Sequence, residues 1–400
     1  MTTTSTTTGL PVSRWLAGLL AIGVSACTGS ASVAGDPGAD AASADGAAGA
    51  GGAAGRIRIA GAHLVNEHGA VVRLTGVNWF GLETSNYVPH GLWQRSMAAM
   101  LDQIKALGFN VIRVPFCSQL FDAGSVPNGI DLAQNPELAG KTGPEILDAL
   151  INHAGERGLR VILDRHRPDS GAQSALWYTP AYGEARWLAD WVMIAERYKG
   201  NPTVVAFDLH NEPHGAATWG DGNAATDWRL AAQRAGNAIL AVDPDALVIV
   251  EGVEVAANNS YWWGGNLRGA GSAPVTLSAP DHVIYSPHEY PASIYAQSWF
   301  SAPDYPANLP ALWDATWGNL AATAPVLVGE FGTKLQTDVD RKWLDRLTRY
   351  VGERGMSFTY WSLNPDSGDT GGLLADDWVT VQTDKLAYLT PILAPLVPIR

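Results

Sequence analysis

Two apolar runs of this 400-residue chain end in glutamate. Val204–Leu209 leads into His210-Asn211-Glu212-Pro213, and Val326–Gly329 leads into Glu330-Phe331. Two carboxyls set across a glycosidic bond can cleave it: one protonates the leaving oxygen, while the other attacks the sugar or activates water. A separation of about 5–5.5 Å suits direct attack. A single Glu at a strand end reads as a solvated loop residue. Two of them, each adjoining an apolar strand, are a candidate pair.

The elements that would hold such a pair recur along the chain. Apolar runs fall at Leu74–Asn78, Val111–Pro115, Arg160–Asp164, Val204–Leu209, Leu247–Glu251, Val283–Ser286, Val326–Gly329 and Phe358–Ser362. Helical stretches separate them. Trp93 to Leu107 spaces Met97, Met100, Leu101, Ile104 and Leu107 near the helical period, and Gly108 stops it. Pro144 to Ala154 and Ala185 to Tyr198 behave alike. Continuous apolar strands alternating with helices predict a parallel sheet covered on both faces. Eight such units fit an α/β fold of the (β/α)8 TIM-barrel type, preceded by a short β-ribbon over Ile57–Ile59, His63–Val65 and Ala70–Leu74. A doubly wound sheet is the alternative, but no G-x-G-x-x-G follows the first strand. In a barrel the site lies at the C-terminal strand ends. Those ends collect Asn78-Trp79, Arg165-His166, His210-Asn211-Glu212, His288-Glu289-Tyr290, Glu330 and Trp361. Strands four and seven, which carry Glu212 and Glu330, face each other across such a barrel.

Several motifs, in order, resemble those of glycoside hydrolase family 5, a family of retaining barrel cellulases. They are Ile112-Arg113-Val114-Pro115, Leu163-Asp164-Arg165-His166-Arg167-Pro168, Asn211-Glu212-Pro213, His288-Glu289-Tyr290, Gly329-Glu330-Phe331-Gly332 and Tyr360-Trp361. The stretches Gly76–Gly81, Tyr261–Asn266 and Asn364–Gly372 look like the bacterial endoglucanase branch. The resemblance implies Glu212 as acid/base and Glu330 as nucleophile. It implies that Asn211 bonds the sugar 2-hydroxyl, that His288 and Tyr290 border the nucleophile, that His166 contacts the sugar, and that Trp361 offers it a flat face. On this reading the Glu212 carboxyl should titrate high, through burial and the neighbouring Glu330 charge. Arg113 is the cation expected to keep Glu330 ionised. No cofactor or metal is implied. The expected partner is a β-glucan polysaccharide, cut by a monomer. The loops leave β-mannan or xyloglucan open as substrates, and a surface carbohydrate-binding protein without turnover is the reading from another class.

Composition agrees with this. The net charge of -13 argues against a nucleic-acid partner. Sixteen Trp are unusual beside 16% charged residues. Trp79, Trp177, Trp262, Trp263 and Trp361 fall after strands or in rim loops and are candidate sugar platforms, with Trp219 just beyond Glu212. The other Trp of the chain's body, including Trp93, are assigned to helices or their flanks as packing. His210-x-Glu212-x-His214 has the spacing of metal ligands on a helix, but Pro213 interrupts a helix there.

The N-terminal segment reads differently. Trp15 to Ala26 is an apolar run suited to a signal peptide over residues 1–26. Val24-Ser25-Ala26-Cys27 looks like a bacterial lipobox, with Cys27 as the lipidated residue and the lipid as the route to membrane attachment. Residues 27–55 contain 19 Gly or Ala among 29 and read as a tether or pro-segment. The catalytic domain then runs over 56–400. The protein is expected to be exported, secreted or anchored at the cell envelope, with Cys117 buried as a small hydrophobe.

Overall fold

The computed structural model describes residues 55–399. The signal segment 1–26, residues 27–54 of the tether and the lipidation site Cys27 lie outside the described residues. Eight parallel strands form one sheet: β1 (Thr75–Asn78), β2 (Val111–Cys117), β3 (Arg160–Arg167), β4 (Val204–Asp208), β5 (Val248–Glu251), β6 (Val283–Ser286), β7 (Leu327–Val328) and β8 (Ser357–Tyr360). Their order is β6-β5-β4-β3-β2-β1-β8-β7. A parallel bridge between Tyr285 and Val326 joins β6 to β7 and closes the sheet into a barrel. Each of the eight apolar runs became a strand, because a run buried on both faces needs no polar alternation.

Helices α1 (Met97–Ala106), α2 (Gly143–Glu156), α3 (Glu184–Tyr198), α4 (Trp228–Val242), α5 (Leu309–Thr316), α6 (Asp338–Glu353) and α7 (Thr383–Leu389) surround the sheet. The crossover from β5 to β6 holds no α-helix; its residues extend a rim loop that contains the small hairpin Val255–Ala256 with Asn259–Ser260. The start of α1 differs from the sequence expectation. Ser96 Oγ accepts the Ala99 amide proton at 3.2 Å and caps the helix, so Trp93 lies in the preceding turn. Thr142 and Glu145 form a capping box at α2.

The ribbon forms as three antiparallel strands, Arg58–Ala60, His63–Val65 and Val71–Val72. Ile57, Ile59 and Leu64 pack with Val111, Ile162, Val205, Ile249 and Leu327, which plugs the N-terminal end of the barrel. Site chemistry is thereby left to the opposite end. Among the described residues no helix is long and apolar enough to cross a membrane.

Buried tryptophans between sheet and helices hold two strand ends. The indole N–H groups of Trp187 and Trp191, both on α3, donate to the Leu209 carbonyl at 2.9 and 3.1 Å. That carbonyl sits three residues before Glu212. Trp228 donates to the Glu251 carbonyl at 2.9 Å. Trp187→Ala is expected to lower the unfolding free energy by about 3–5 kcal/mol, since it opens a cavity and removes one of these donors. Urea denaturation measures this; a loss under about 1 kcal/mol would mean that the site collapses freely and the pillar is dispensable.

Candidate active site

A cleft of about 940 Å³ opens at the C-terminal end of the barrel. Glu212 and Glu330 line it, together with His166, Asn211, Trp262, Trp263, Tyr290 and Trp361. Arg113 and His288 lie fully buried beneath it. Carboxylate oxygens of Glu212 and Glu330 and a ring nitrogen of His288 lie within 4.8 Å of one another.

The Arg113 guanidinium is the centre of the cluster. Its Nη1 donates to Glu330 Oε1 at 2.7 Å and to Asn78 at 3.0 Å. Its Nη2 donates to Asn211 at 3.0 Å and to Glu251 at 3.1 Å, and lies 3.1 Å from Asp164. Its Nε donates to Asp208 at 2.8 Å. Burial works against the charge, but Asp164, Asp208, Glu330 and Glu251 outweigh it and raise the guanidinium pKa well above its usual value. Tyr290 donates to the second Glu330 oxygen at 2.6 Å. Both oxygens of Glu330 are therefore held in place by donors.

Glu212 departs from the sequence expectation. Burial pushes its carboxyl up, but the His288 hydrogen bond and charge, Gln173 and His166 outweigh burial and hold it below the usual range. His288 Nδ1 donates to Glu212 Oε1 at 2.9 Å, and Gln173 donates to Oε2 at 2.8 Å. His288 itself is raised well above an ordinary imidazole: burial opposes its charge, yet Glu251, Glu330 and Glu212 together prevail. In the resting site the proton thus sits on His288, paired with a Glu212 carboxylate. The sequence reading counted Glu330 as the neighbour of Glu212 and did not weigh the cation between them.

His166 is neutral. Burial lowers its pKa to about 4, and its Nδ1 donates to Asp164 at 2.7 Å, so Nε2 is left as an acceptor. Asn211 Nδ2 lies 3.4 Å from that nitrogen. His166 and Trp361 stack with centroids 5.3 Å apart and planes 9° apart.

Two of the proposed sugar platforms are not platforms. Trp79 and Trp177 are both 0% exposed. Trp79 donates to the His90 carbonyl at 2.9 Å. Trp177 donates to Glu184 at 3.0 Å and packs against Trp187 and Trp228. Following a strand puts a residue at the rim level, but these rings turn outward between sheet and helices. Trp219 likewise donates to the Ala273 carbonyl and lies outside the cleft lining. Trp93 moves the other way: it is 39% exposed and meets Trp378 edge-on. Cys117 is fully buried, and burial pushes its thiol up to about 12.

The sequence reading missed the acids beneath Arg113. Asp208 and Glu251 interrupt otherwise apolar strands, and a buried acid in such a run requires a partner. That requirement was the available signal. Gln173, Phe80, Glu83 and Glu254 also line the cleft and were not singled out.

A barrel with a donor-held carboxylate and a second carboxylate at one rim defines a glycoside-hydrolase type of site. The family description cellulase (glycosyl hydrolase family 5) matches residues 65–367. A Paenibacillus polymyxa endoglucanase is 56% identical over 347 residues, covering 85% of this chain and 87% of the relative. The major extracellular endoglucanase of Xanthomonas campestris is 45% identical over 333 residues, covering 82% and 69%. Its solved catalytic domain superposes with a TM-score of 0.81 at 43% identity, covering 84% of this chain and 99% of that one. The chain belongs to glycosyl hydrolase family 5 and is a glycoside hydrolase.

The charge count predicts a pH response. Arg113 and His288 face five carboxyls: Asp164, Asp208, Glu251, Glu212 and Glu330. Burial raises Asp164 to about 6, Asp208 to about 7 and Glu251 to about 8. Asp208 Oδ1 has no hydrogen-bond partner, so a proton is readily kept there. The unfolded chain releases that proton near 3.8 and the folded chain near 7, so folding loses stability as pH rises between those values. His288 has the same sign, because its support is lost as pH rises through its elevated pKa. Thermal unfolding followed from pH 4 to 8 is expected to fall less steeply for Asp208→Asn than for wild type. An unchanged or steeper slope would remove Asp208 as a proton holder.

Proposed function

We propose that this chain is a retaining endo-β-1,4-glucanase that cuts internal bonds of cellulose or related β-glucans. The observation that carries the reading is the separation of Glu212 and Glu330. One oxygen of each carboxyl lies within 4.8 Å of the other, a nearest-atom distance that fits the about 5–5.5 Å between carboxyls of direct attack. Glu330, held by Arg113 and Tyr290, attacks the anomeric carbon and forms a glycosyl ester. The bond to the leaving sugar breaks, and its oxygen takes the proton that Glu212 delivers. Water then attacks the ester, gives its proton to Glu212 and frees Glu330.

The proton's resting place on His288 fits this sequence. Glu330 is among the charges that hold the imidazolium. As Glu330 becomes an ester its charge vanishes, the imidazolium loses support, and the proton can pass 2.9 Å to Glu212 and on to the leaving oxygen. Asn211, anchored by Arg113, is placed to bond the sugar 2-hydroxyl, with His166 beside it. Trp361 and Trp263 supply flat faces along the cleft, whereas Trp262, 7% exposed and packed against Tyr290, Trp299 and Phe300, reaches it only with an edge. The relatives named endoglucanases support the glucan assignment, as does a Pyrococcus horikoshii endocellulase solved as a cellotetraose complex. That structure is 39% identical, has a TM-score of 0.80, and covers 84% of this chain and 98% of its own.

Carboxymethylcellulose is expected to be cleaved faster than galactomannan or xyloglucan, with the β-anomer released first by NMR. A faster rate on mannan would change the substrate, and an α-anomer would make the enzyme inverting. Glu212→Gln is expected to lower kcat/KM on cello-oligosaccharides by about 10²–10⁴-fold. Glu330→Gln should abolish turnover while the fold, checked by circular dichroism, persists. If either variant keeps a near-normal rate, that residue loses its role. If wild type binds cello-oligosaccharides without releasing reducing ends, the chain is a binding protein. The proposal includes a monomer that is exported with a lipid on Cys27. Intact mass of the mature protein tests the lipid, and a mature N-terminus beyond Cys27 would remove it.

A further inference from the structure

The spacing His210-x-Glu212-x-His214 is not explained by the carboxylate pair. The two imidazoles diverge. His210 is buried in the barrel wall, 2.9 Å from Arg165 and 3.2 Å from the Ser174 carbonyl. His214 is half-buried beside the cleft and lies flat against Trp263, with ring centroids 3.8 Å apart and planes 7° apart. Trp263 remains 43% exposed and lines the cleft, so one indole face is backed and surface remains for a ligand. The other end of the imidazole reaches the main chain: His214 Nδ1 lies 2.7 Å from the Glu212 carbonyl oxygen. A carbonyl only accepts, so Nδ1 carries the hydrogen.

That carbonyl belongs to a strained residue. Glu212 has φ of 52°, in the left-handed region that costs a side-chain-bearing residue about 1–2 kcal/mol. Its peptide groups are gripped from both sides. The Glu212 N–H donates to Glu251 Oε2 at 2.7 Å, and its C=O accepts from His214. The loop bearing Trp263 is tied to the same turn, since the Gly215 N–H donates to Glu254 at 2.9 Å. At Gly264 a Cβ would stand 2.3 Å from Glu251 Oε2 and 3.1 Å from the Glu212 Cα, so the chain passes there as bare backbone. Trp263, next in the chain to Gly264, therefore lies against the turn that carries Glu212.

We infer that His214 is a positioning residue that couples the leaving-group half of the cleft to the proton donor, backing Trp263 as a sugar platform with its ring face and holding the Glu212 backbone with Nδ1. The inference rests on the assignment of Glu212 as acid/base. A sugar docked on Trp263 then presses on the same imidazole that orients Glu212.

Two variants separate the two contacts. His214→Phe keeps a flat ring and removes the donor; His214→Asn keeps a donor and removes the ring. Each is assayed on cellopentaose, which places sugars beyond the cleaved bond. Each is also assayed on 2,4-dinitrophenyl β-cellobioside, whose leaving group needs neither platform nor proton. His214→Asn is expected to raise KM for cellopentaose about tenfold, the loss of a good aromatic contact. His214→Phe should keep that KM within about twofold and lower kcat, with the ratio of kcat/KM on cellopentaose to that on the dinitrophenyl substrate falling about tenfold. Melting temperatures taken alongside report folding. If the two variants shift both substrates equally, or show the same KM-against-kcat pattern, the role of His214 is structural and the inference falls. If Glu212→Gln retains full activity on cellopentaose, the acid assignment falls instead, whatever the His214 variants do.

Discussion

A guanidinium with no exposed surface carries the organisation of this site. Arg113 stands on β2 and reaches groups on or just beyond β1, β3, β4, β5 and β7: Asn78, Asp164, Asp208, Asn211, Glu251 and Glu330. Burying a charge is costly unless it is paired and hydrogen-bonded. Here the planar fork of donors meets acceptors arriving from most of the barrel rim, so the cost is offset only when those strands close in register. The geometry that holds Glu330 therefore depends on barrel closure. A lysine could not replace it, since one ammonium lacks the fork that serves so many separate acceptors.

The arginine does not balance the site alone. With His288 included, two cations face five carboxyls, and a buried network of that imbalance keeps protons. Their distribution differs from a simple acid-plus-base pair. Asp208 and Asp164 each leave one oxygen without a donor, while both oxygens of Glu330 and of Glu212 accept hydrogen bonds. Burial thus raises the deep acids, Asp208 to about 7 and Glu251 to about 8, while Glu212, though pushed up by burial, is held below the usual range by His288, itself raised well above an ordinary imidazole. In the proposed mechanism a proton moves one hydrogen bond, from His288 to Glu212, when the charge on Glu330 changes.

The tryptophan excess divides by the same logic of partners. An indole N–H must be satisfied when buried. Trp187, Trp191 and Trp228 meet that need on strand-end carbonyls and stiffen the segments that carry Glu212 and Glu251. Trp79 and Trp177 satisfy theirs in the wall. Trp262, Trp263 and Trp361 keep a surface on the cleft. A residue's place after a strand could not separate these groups, because the direction of a ring is decided by which neighbour completes its packing.

All eight strands, the plugging ribbon and the C-terminal rim were legible in the linear pattern, since a doubly buried strand must be continuously apolar and a turn must break it. The rim positions of Glu212, Glu330, His288 and Tyr290 followed from the strand ends, whereas Arg113, inside β2, came from the motif Ile112–Pro115. Asp164, Asp208 and Glu251 were visible as polar interruptions of apolar runs, yet their common partner was not, because it lies on another strand. The sequence by itself therefore determined the barrel and its working rim through period, and pointed to the family through the resemblance of its motifs. Only the tertiary structure decided the protonation of Glu212, the inward or outward facing of each Trp, and the contact of His214 with both Trp263 and the Glu212 backbone. Each of these is set by which groups the folded chain packs together, and distance through space is not written in the spacing along the chain.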